Sequence, residues 1–528
     1  MSTWKLNSRD AHSVVPTEIE LKLRLPADYV ARLQRNPLLK SLNVSKPITR
    51  KIYSVYYDTP DFHLRRNGVA FRLRREGKRW VQTVKGGGSA IAGLHQREEW
   101  DAPVLKPQPD FTKILDPALI TLFSGASLRE QLRPIFITEF NRSTHTLRLP
   151  DGSEAEFCLD RGRIIAGDAS TPLCEIEMEL KSGSPVPLFE LALKLLRVVP
   201  FRMENISKAE RGYKLCTGCL SPPFKAQPVQ LVAEMSVSEA FKAIIGNCLG
   251  HLHSNEAGML EGYDIEYLHQ VRVALRRQRS ALSIFSKAFS KAAFTPVSQE
   301  LKWLAGQFGP ARDWDVFVTE TLATACHAFS VHPGMLALQE KCEKLRRDHN
   351  DDARNTLDAE RYTEVMLKLG AWLNAESWLA QPVAPDDLVG AGSEMSVKEF
   401  SRTLLLRRHR QLKKYERKLA KLTVPELHAL RIVAKKQRYA AEFFAEVYPP
   451  KETKRYIQSL STLQDILGAM NDTSIAECLL SEVLIAKDGS DEHEAVGIIK
   501  GWSASLALIK KLELNRAWKH FNSNDPFW

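Results

Sequence analysis

Glu18-Ile19-Glu20-Leu21-Lys22 has the residue types and the spacing of a site. In a strand, successive side chains point to opposite faces. Glu18, Glu20 and Lys22 then project to one side, and Ile19 and Leu21 to the other. Two carboxylates and an ammonium on one face make a poor hydrophobic core; they suit a cleft or barrel that holds a divalent metal against anionic oxygens. Read alone, the pentapeptide fits a solvated surface strand better, so its companions along the chain must decide. Arg72 and Arg74 share a face, as do Thr83 with Lys85, Arg97 with Glu99, and Glu156 with Cys158 and Asp160. Glu175, Glu177, Glu179 and Lys181 make the densest acidic row. If these faces point inward, they enclose a lumen with basic and acidic walls. Guanidinium and ammonium groups would neutralise phosphate oxygens, Arg with bidentate geometry. The carboxylates would hold Mg²⁺ or Mn²⁺, which bridge to phosphate oxygens and keep some waters. Phosphoryl transfer needs positioning and charge neutralisation more than a protein nucleophile. No GxxxxGK[ST] loop lies near these strands, which argues against a P-loop nucleotide hydrolase.

The elements that must carry these residues differ between the two halves. From about 17 to 215 the apolar pattern is mostly period two, and Val69–Arg74, Trp80–Lys85, Thr138–Arg148, Glu156–Asp160 and Cys174–Lys181 read as strands. Turn signals stand at Asn67-Gly68, Glu76-Gly77, Gly86-Gly87-Gly88, Asp151-Gly152 and Arg161-Gly162. Helical spacing interrupts near Ala27–Asn36 and Val186–Val199. This half is expected to be an antiparallel, strand-dominated α+β domain. After the proline-rich Ser221–Gln227, the spacing turns helical to the end of the chain, with Pro382–Gly392 as a long connection.

The helical half repeats itself. Leu268-His269-Gln270-Val271-Arg272 matches Leu427-His428-Ala429-Leu430-Arg431, 159 residues on. Gln278-Arg279 and Gln437-Arg438, Gly309 with Arg312-Asp313 and Gly468 with Asn471-Asp472, and Phe241 and Phe400 keep the same offset. Two copies of a helical bundle, at about 235–380 and 394–520, are expected. On each repeated helix the cations fall in one stripe beside an apolar one. His269, Arg272, Arg276 and Arg279 flank Leu268, Val271, Leu275 and Leu282. His428, Arg431, Lys435 and Arg438 flank Leu427, Leu430, Ala434 and Ala441. Solvated faces usually mix signs and these stripes do not, which favours an anion-binding surface over salt bridges to Asp313 and Asp472.

The chain has 528 residues and a net charge of +11, enough length for more than one core and a sign that attracts polyanions. No run of about 18 apolar residues occurs, and Met1–Pro16 lacks the apolar stretch of a signal peptide. Eight cysteines are scattered; Cys216 and Cys219 form a single CxxC without a second pair at zinc spacing. A reduced, cytoplasmic setting is expected, with no membrane partner.

Glu18-Ile-Glu-Leu-Lys22, Tyr56-Tyr-Asp-Thr-Pro-Asp61, Leu64-x-x-x-Gly68-x-x-x-Arg72-x-Arg74, Gly93-Leu-His-Gln-Arg97-x-Glu99, Glu175-Ile-Glu177-x-Glu179 and Ser207-Lys208-x-x-Arg211-Gly212-Tyr213 follow one another in order. This set resembles the CYTH superfamily of triphosphate tunnel enzymes over about 15–220. The resemblance implies a closed eight-stranded antiparallel β tunnel with flanking helices. Lys22, Arg72, Arg74, Lys85, Arg142, Lys208 and Arg211, with Arg97 as a weaker candidate, would contact a triphosphate. Glu18, Glu20, Glu99, Asp160, Glu175, Glu177 and Glu179 would form the acidic wall that holds the metal and its water. Asp160, Glu175 and Glu177 stand first among the direct ligands. Glu179 exceeds the simplest family pattern and leaves the ligand register open. Over about 230–520 the histidine-bearing helices, with Gly309-Pro-Ala-Arg-Asp-Trp-Asp-Val316, resemble the all-α CHAD domain, which implies binding of long-chain polyphosphate rather than catalysis. Together the resemblances imply a metal-dependent inorganic triphosphatase acting on tripolyphosphate. An adenylyl cyclase, a thiamine triphosphatase and a non-catalytic polyphosphate binder are the rivals. A nucleic-acid binder is the weakest, because no aromatic-rich recognition motif occurs.

Overall fold

The structure, a computed structural model, describes residues 17–262, 264–380, 395–483 and 489–528. Met1–Pro16 and the expected connection Pro382–Gly392 lie outside the described residues. The chain divides into two compact units. The first runs to Ser221 and adds Asp358–Glu376; the second comprises Pro222–Leu357 and Ser377–Trp528. The helix Glu360–Asn374, which the sequence places in the first helical repeat, thus belongs with the strands.

In the first unit the strands are β1 (Thr17–Arg24), β2 (Ile48–Asp58), β3 (Val69–Glu76), β4 (Arg79–Ile91), β5 (Leu94–Val104), β6 (Arg133–Arg148), β7 (Glu154–Ala166), β8 (Ala169–Ser182) and the two-residue β9 (Arg202–Met203). Their order is β5-β4-β3-β2-β6-β7-β8-β1-β9, and a further β5–β1 pairing closes the ring. Every pairing is antiparallel. Strands β1 to β8 therefore form a closed eight-stranded barrel, which leaves no edge open between them.

Alternation along β1 places its apolar residues outside the lumen. Leu21 and Leu23 are fully buried with Leu188, Phe189, Leu191, Ala192 and Leu195 of the helix Val186–Leu196 and with Leu367 of Glu360–Asn374. Each such apolar side chain contributes roughly 1.5–3 kcal/mol when removed from water. That packing fixes which face of β1 turns inward, because a slip of one residue would exchange the faces.

Two expected turns are instead parts of strands. Gly86-Gly87-Gly88 forms an irregularity within β4, where the pairing with β5 jumps from Gly86 to Ser89 and Gly87 and Gly88 take positive φ. Arg161-Gly162 continues β7, with Gly162 opposite Phe140 of β6. A Cβ at Gly162 would lie 2.0 Å from the Glu139 carbonyl oxygen, so the glycine marks a close backbone approach rather than a reversal.

The second unit is helical. Its repeat shows in the caps: Asp264 caps the helix Ile265–Phe285 and Thr423 caps Val424–Phe443, at the expected offset. Upstream the register shifts by one. Ser236 and Ser396 begin capping boxes that open Val237–Glu261 and Val397–Lys413, so Phe400 stands at the helix position of Ala240 and not of Phe241. The apolar stripes pack inward as expected, with Leu268, Val271, Leu275, Leu282, Leu430 and Ala434 at most 2% exposed. Among the described residues no helix is long and apolar enough to cross a membrane, and none of the eight cysteines is in a disulfide.

Candidate functional site

Strand alternation turns the charged residues of the barrel inward around a cavity of about 320 Å³. Glu18, Glu20, Lys22, Arg72, Arg74, Lys85, Arg97, Glu99, Arg142, Glu177, Glu179 and Lys208 all line it. Asp160, Glu175 and Arg211 do not line it; they lie against Lys208 and its partners at one wall. Asp160 and Glu175 are fully or nearly fully buried.

That wall is held by ion pairs of unusual density. Register sets Lys22 opposite Glu177 and Asp160 opposite both Glu175 and Arg142. Lys208 enters from the N-terminus of the helix Lys208–Thr217, whose Ser207–Glu210 capping box fixes where it starts. Its Nζ lies 2.8 Å from Asp160, 2.5 Å from Glu175 and 2.8 Å from Glu177. Arg142 donates to both oxygens of Asp160 at 2.7 Å and also to Glu177. Lys22 lies 2.8 Å from Glu177 and 2.7 Å from Glu20, and Arg211 lies 2.8 Å from Glu175. Burial alone would push the Glu177 carboxyl up and the Lys22 ammonium down. The opposite charges outweigh it, so Glu177 falls well below the carboxylate range and Lys22 rises well above its ordinary value.

The same helix reaches the barrel through Gly212, whose added Cβ would sit 2.2 Å from the Phe136 ring. The Tyr213 hydroxyl donates to Asp58 at 2.7 Å. Gly212→Ala is expected to lift the helix off the barrel and cost about 1–3 kcal/mol in a denaturant titration. An unchanged midpoint would mean that the contact does not hold the helix in place.

Elsewhere the lumen is less balanced. Among the described residues Arg74 has only Ser54 at 3.4 Å and Glu76 at 3.8 Å, and burial together with Arg72 and Arg142 pushes its pKa down. Arg72 and Lys85 meet Glu99 at 3.2 and 2.9 Å, and Lys85 also meets Glu18 at 2.5 Å. Arg97 reaches Glu210 at 3.3 Å. Across the lumen Glu179 is raised by burial and by Glu18 and Glu156, against the opposing pull of Lys181 at 2.5 Å. Excess positive charge at Arg74 and excess negative charge at Glu179 thus face one cavity.

Asp160, Glu175 and Glu177 offer ligand atoms within 4.8 Å of one another, compact enough for one small cation. The Lys208 ammonium lies against all three of these carboxylates. A metal there would displace a buried cation, at the cost of leaving it unpaired. Glu18, Glu156 and Glu179, with Glu20 beside them, form a second acidic wall, in which Glu18 meets Lys85, Glu20 meets Lys22 and Glu179 meets Lys181. Carboxylates of this kind suit a hard divalent ion that completes its shell with substrate oxygens and water. Glu156 and Lys181 share the strand phase noted in the sequence, whereas Arg50, Glu76 and Asp101 also line the lumen and carry no motif signal.

In the helical unit the two basic stripes come together. Lys435 is lowered to about 8 by burial and then by Arg431, Arg276, Arg279 and Arg272. Arg272 falls to about 10, and His269 to about 3, through burial and the like charges of Arg276 and Arg312. Among the described residues, His269 Nδ1, Arg272 Nε and Arg431 Nε are buried with no hydrogen-bond partner. Arg276 Nε donates to the Tyr439 hydroxyl at 3.4 Å, and Arg279 is exposed. His428 is exposed and bonds Asn471 at 2.8 Å, while Arg438 turns to Glu442 at 3.4 Å and Ser461 at 3.3 Å. Of the salt bridges to Asp313 and Asp472 that the anion-binding reading is set against, Arg272–Asp313 is long, at 3.8 Å.

Comparison with known proteins separates the same halves. The CYTH domain family matches residues 16–213 and the CHAD domain family residues 243–481. The inorganic triphosphatase of Haemophilus influenzae is 31% identical over 208 residues, 38% of this chain and 56% of that protein, so the chain spans about half the length of that relative. An uncharacterized protein of Mycobacterium tuberculosis (strain CDC 1551 / Oshkosh) is 25% identical over 510 residues, 90% of this chain and 91% of that one. The crystal structure of the CHAD domain from the plant Ricinus communis is 32% identical, with a TM-score of 0.50, and covers 58% of this chain and 98% of that chain. The chain carries a CYTH domain in its barrel and a CHAD domain in its helical half.

Proposed function

We propose that the barrel hydrolyses inorganic tripolyphosphate to pyrophosphate and phosphate with Mg²⁺ or Mn²⁺, and that the helical unit binds longer polyphosphate. The observation that carries the first part is the lining of the lumen. Charged side chains predominate in it, and among the described residues its one aromatic ring, Tyr56, is 4% exposed and stacked on Phe136. The inorganic triphosphatase among the relatives supports the same reading.

Acidic and basic side chains line the lumen in near-equal numbers, so the empty charge balance leaves little to neutralise a polyanion. A divalent ion held by Glu18, Glu156 and Glu179, with Glu20 beside them, would supply the missing positive charge and polarise a phosphoryl oxygen. Arg72, Arg74 and Lys85 grip the phosphate oxygens and orient the chain of phosphates. Lys22, Arg142 and Lys208 form a fixed cationic floor, set in place by Asp160, Glu175 and Glu177. Glu99 holds Arg72 and Lys85 apart in the right geometry. Water enters along the acidic wall and is aligned for in-line attack on a terminal phosphoryl group.

A substrate panel tests this reading. Phosphate release from tripolyphosphate should exceed that from ATP and thiamine triphosphate by about tenfold or more in kcat/KM. Equal or better turnover of ATP or thiamine triphosphate would assign the barrel to those substrates instead.

Polyphosphate binding by the helical unit is supported by its unpartnered guanidinium nitrogens and crowded cations. Lys435 carries charge only below about pH 8. Affinity for long-chain polyphosphate should therefore fall between pH 7 and pH 9, and Lys435→Arg should remove that fall. Parallel pH profiles for the two proteins would take Lys435 out of the binding site.

A further inference from the structure

The Tyr56-Tyr57-Asp58-Thr59-Pro60 segment leaves one group unexplained by the charge pairing of the lumen. Tyr56 lines the cavity from β2, opposite Arg72 of β3, and is 4% exposed. Its ring stacks on Phe136 with centroids 4.4 Å apart and planes at 19°, which fixes where the hydroxyl points. Arg72 Nη1 donates to that hydroxyl at 3.4 Å. A phenol carries one donor beside its acceptor lone pairs. Among the described residues no acceptor takes the Tyr56 proton. The charged groups that act on it most strongly, Arg72, Arg74 and Lys208, are cations, donors themselves. Burial would raise the phenol pKa, yet these three cations pull it below its ordinary value. A buried donor without an acceptor costs free energy unless a ligand supplies one.

We propose that Tyr56 is a substrate-binding residue, donating its phenolic hydrogen bond to an anionic oxygen of the phosphate chain beside Arg72 and Arg74. The inference rests on the triphosphate reading of the barrel. It adds a neutral donor to a set otherwise made of cations, at the end of the lumen where positive charge is least compensated. A neutral hydroxyl there recognises an oxyanion without adding repulsion among Arg72, Arg74 and Lys208. The ring needs no hydroxyl for its stack on Phe136, so Tyr56→Phe removes the donor and keeps the packing.

The test measures tripolyphosphate hydrolysis and tripolyphosphate affinity by calorimetry in the full chain, with divalent metal. Tyr56→Phe should melt with the wild type and weaken substrate binding about tenfold or more, in KM and in calorimetry alike. The loss should persist when Tyr56→Phe is made on an Arg72→Ala background. If it vanishes there, the phenol acts only by holding Arg72 and the contact is overturned. Wild-type affinity in Tyr56→Phe, with an active wild type, also overturns it. A wild type that neither binds nor hydrolyses tripolyphosphate overturns the triphosphate reading itself, and the contact with it.

Discussion

Lys208→Ala should destabilise the barrel by about 3–5 kcal/mol, the largest stability loss expected of any single substitution in it. Its ammonium is 6% exposed at the side chain and lies within 2.8 Å of three carboxylates that are themselves buried. Removing it leaves Asp160, Glu175 and Glu177 to share Arg142, Lys22 and Arg211. Uncompensated buried charge is far more costly than the lost attraction of an exposed pair. The pH dependence follows from the direction of the shifts. Asp160 and Glu177 are held below their ordinary values, so they contribute stability above the carboxylate range and lose it as pH falls through their folded values. Without Lys208 both values rise, and acid unfolding should begin at a higher pH. Lys208 is raised above its ordinary value, so its own contribution is constant through neutral pH and fades only in strong base. Hydrogen exchange at the β7 and β8 amides reads the barrel separately from the helical unit. Wild-type protection in Lys208→Ala at pH 7 would show that another cation balances the three carboxylates.

Arg272→Glu combined with Arg431→Glu should lower the affinity for long-chain polyphosphate by about a hundredfold or more, and leave tripolyphosphate hydrolysis as it was. Each guanidinium has a buried Nε without a partner among the described residues, and each lies near other cations of the two repeats. Reversing two such charges replaces attraction of a phosphate with repulsion at close range. The cluster is strained by like charge, as the depressed Arg272 and Lys435 show, so the reversal relieves repulsion within the folded unit. Loss of binding is then separable from loss of folding, and a thermal melt of the same samples checks it. Retained affinity would move polyphosphate binding to another surface of the helical unit.

Much of the barrel could be read from period-two charge. Glu18, Glu20 and Lys22 line the lumen because Leu21 and Leu23 have a core to fill on the other face. The in-phase arginines of β3 and glutamates of β8 follow the same rule. Glycine misled where it serves contact: Gly162 permits close approach of two strands, and a sequence shows the residue but not the neighbour. The balance of charge was also hidden. Asp160, Glu175 and Glu177 lie close enough to share one cation, and the sequence does not show that Lys208, from a helix far along the chain, meets all three. The imbalance at Glu179 and Glu156 emerges only when β1, β7 and β8 lie side by side. In the helical half the repeat was visible, yet the helix Glu360–Asn374 packs with the barrel, because its apolar face is used there by Leu367. Helical spacing states that a face is apolar and not which core receives it.

Phosphate release from tripolyphosphate, followed with Mg²⁺ or Mn²⁺ and again after chelation, tests the triphosphatase reading most directly. One phosphate and one pyrophosphate should form per tripolyphosphate consumed, and chelation should stop the reaction. No release with either metal, or release that chelation leaves unchanged, would contradict it.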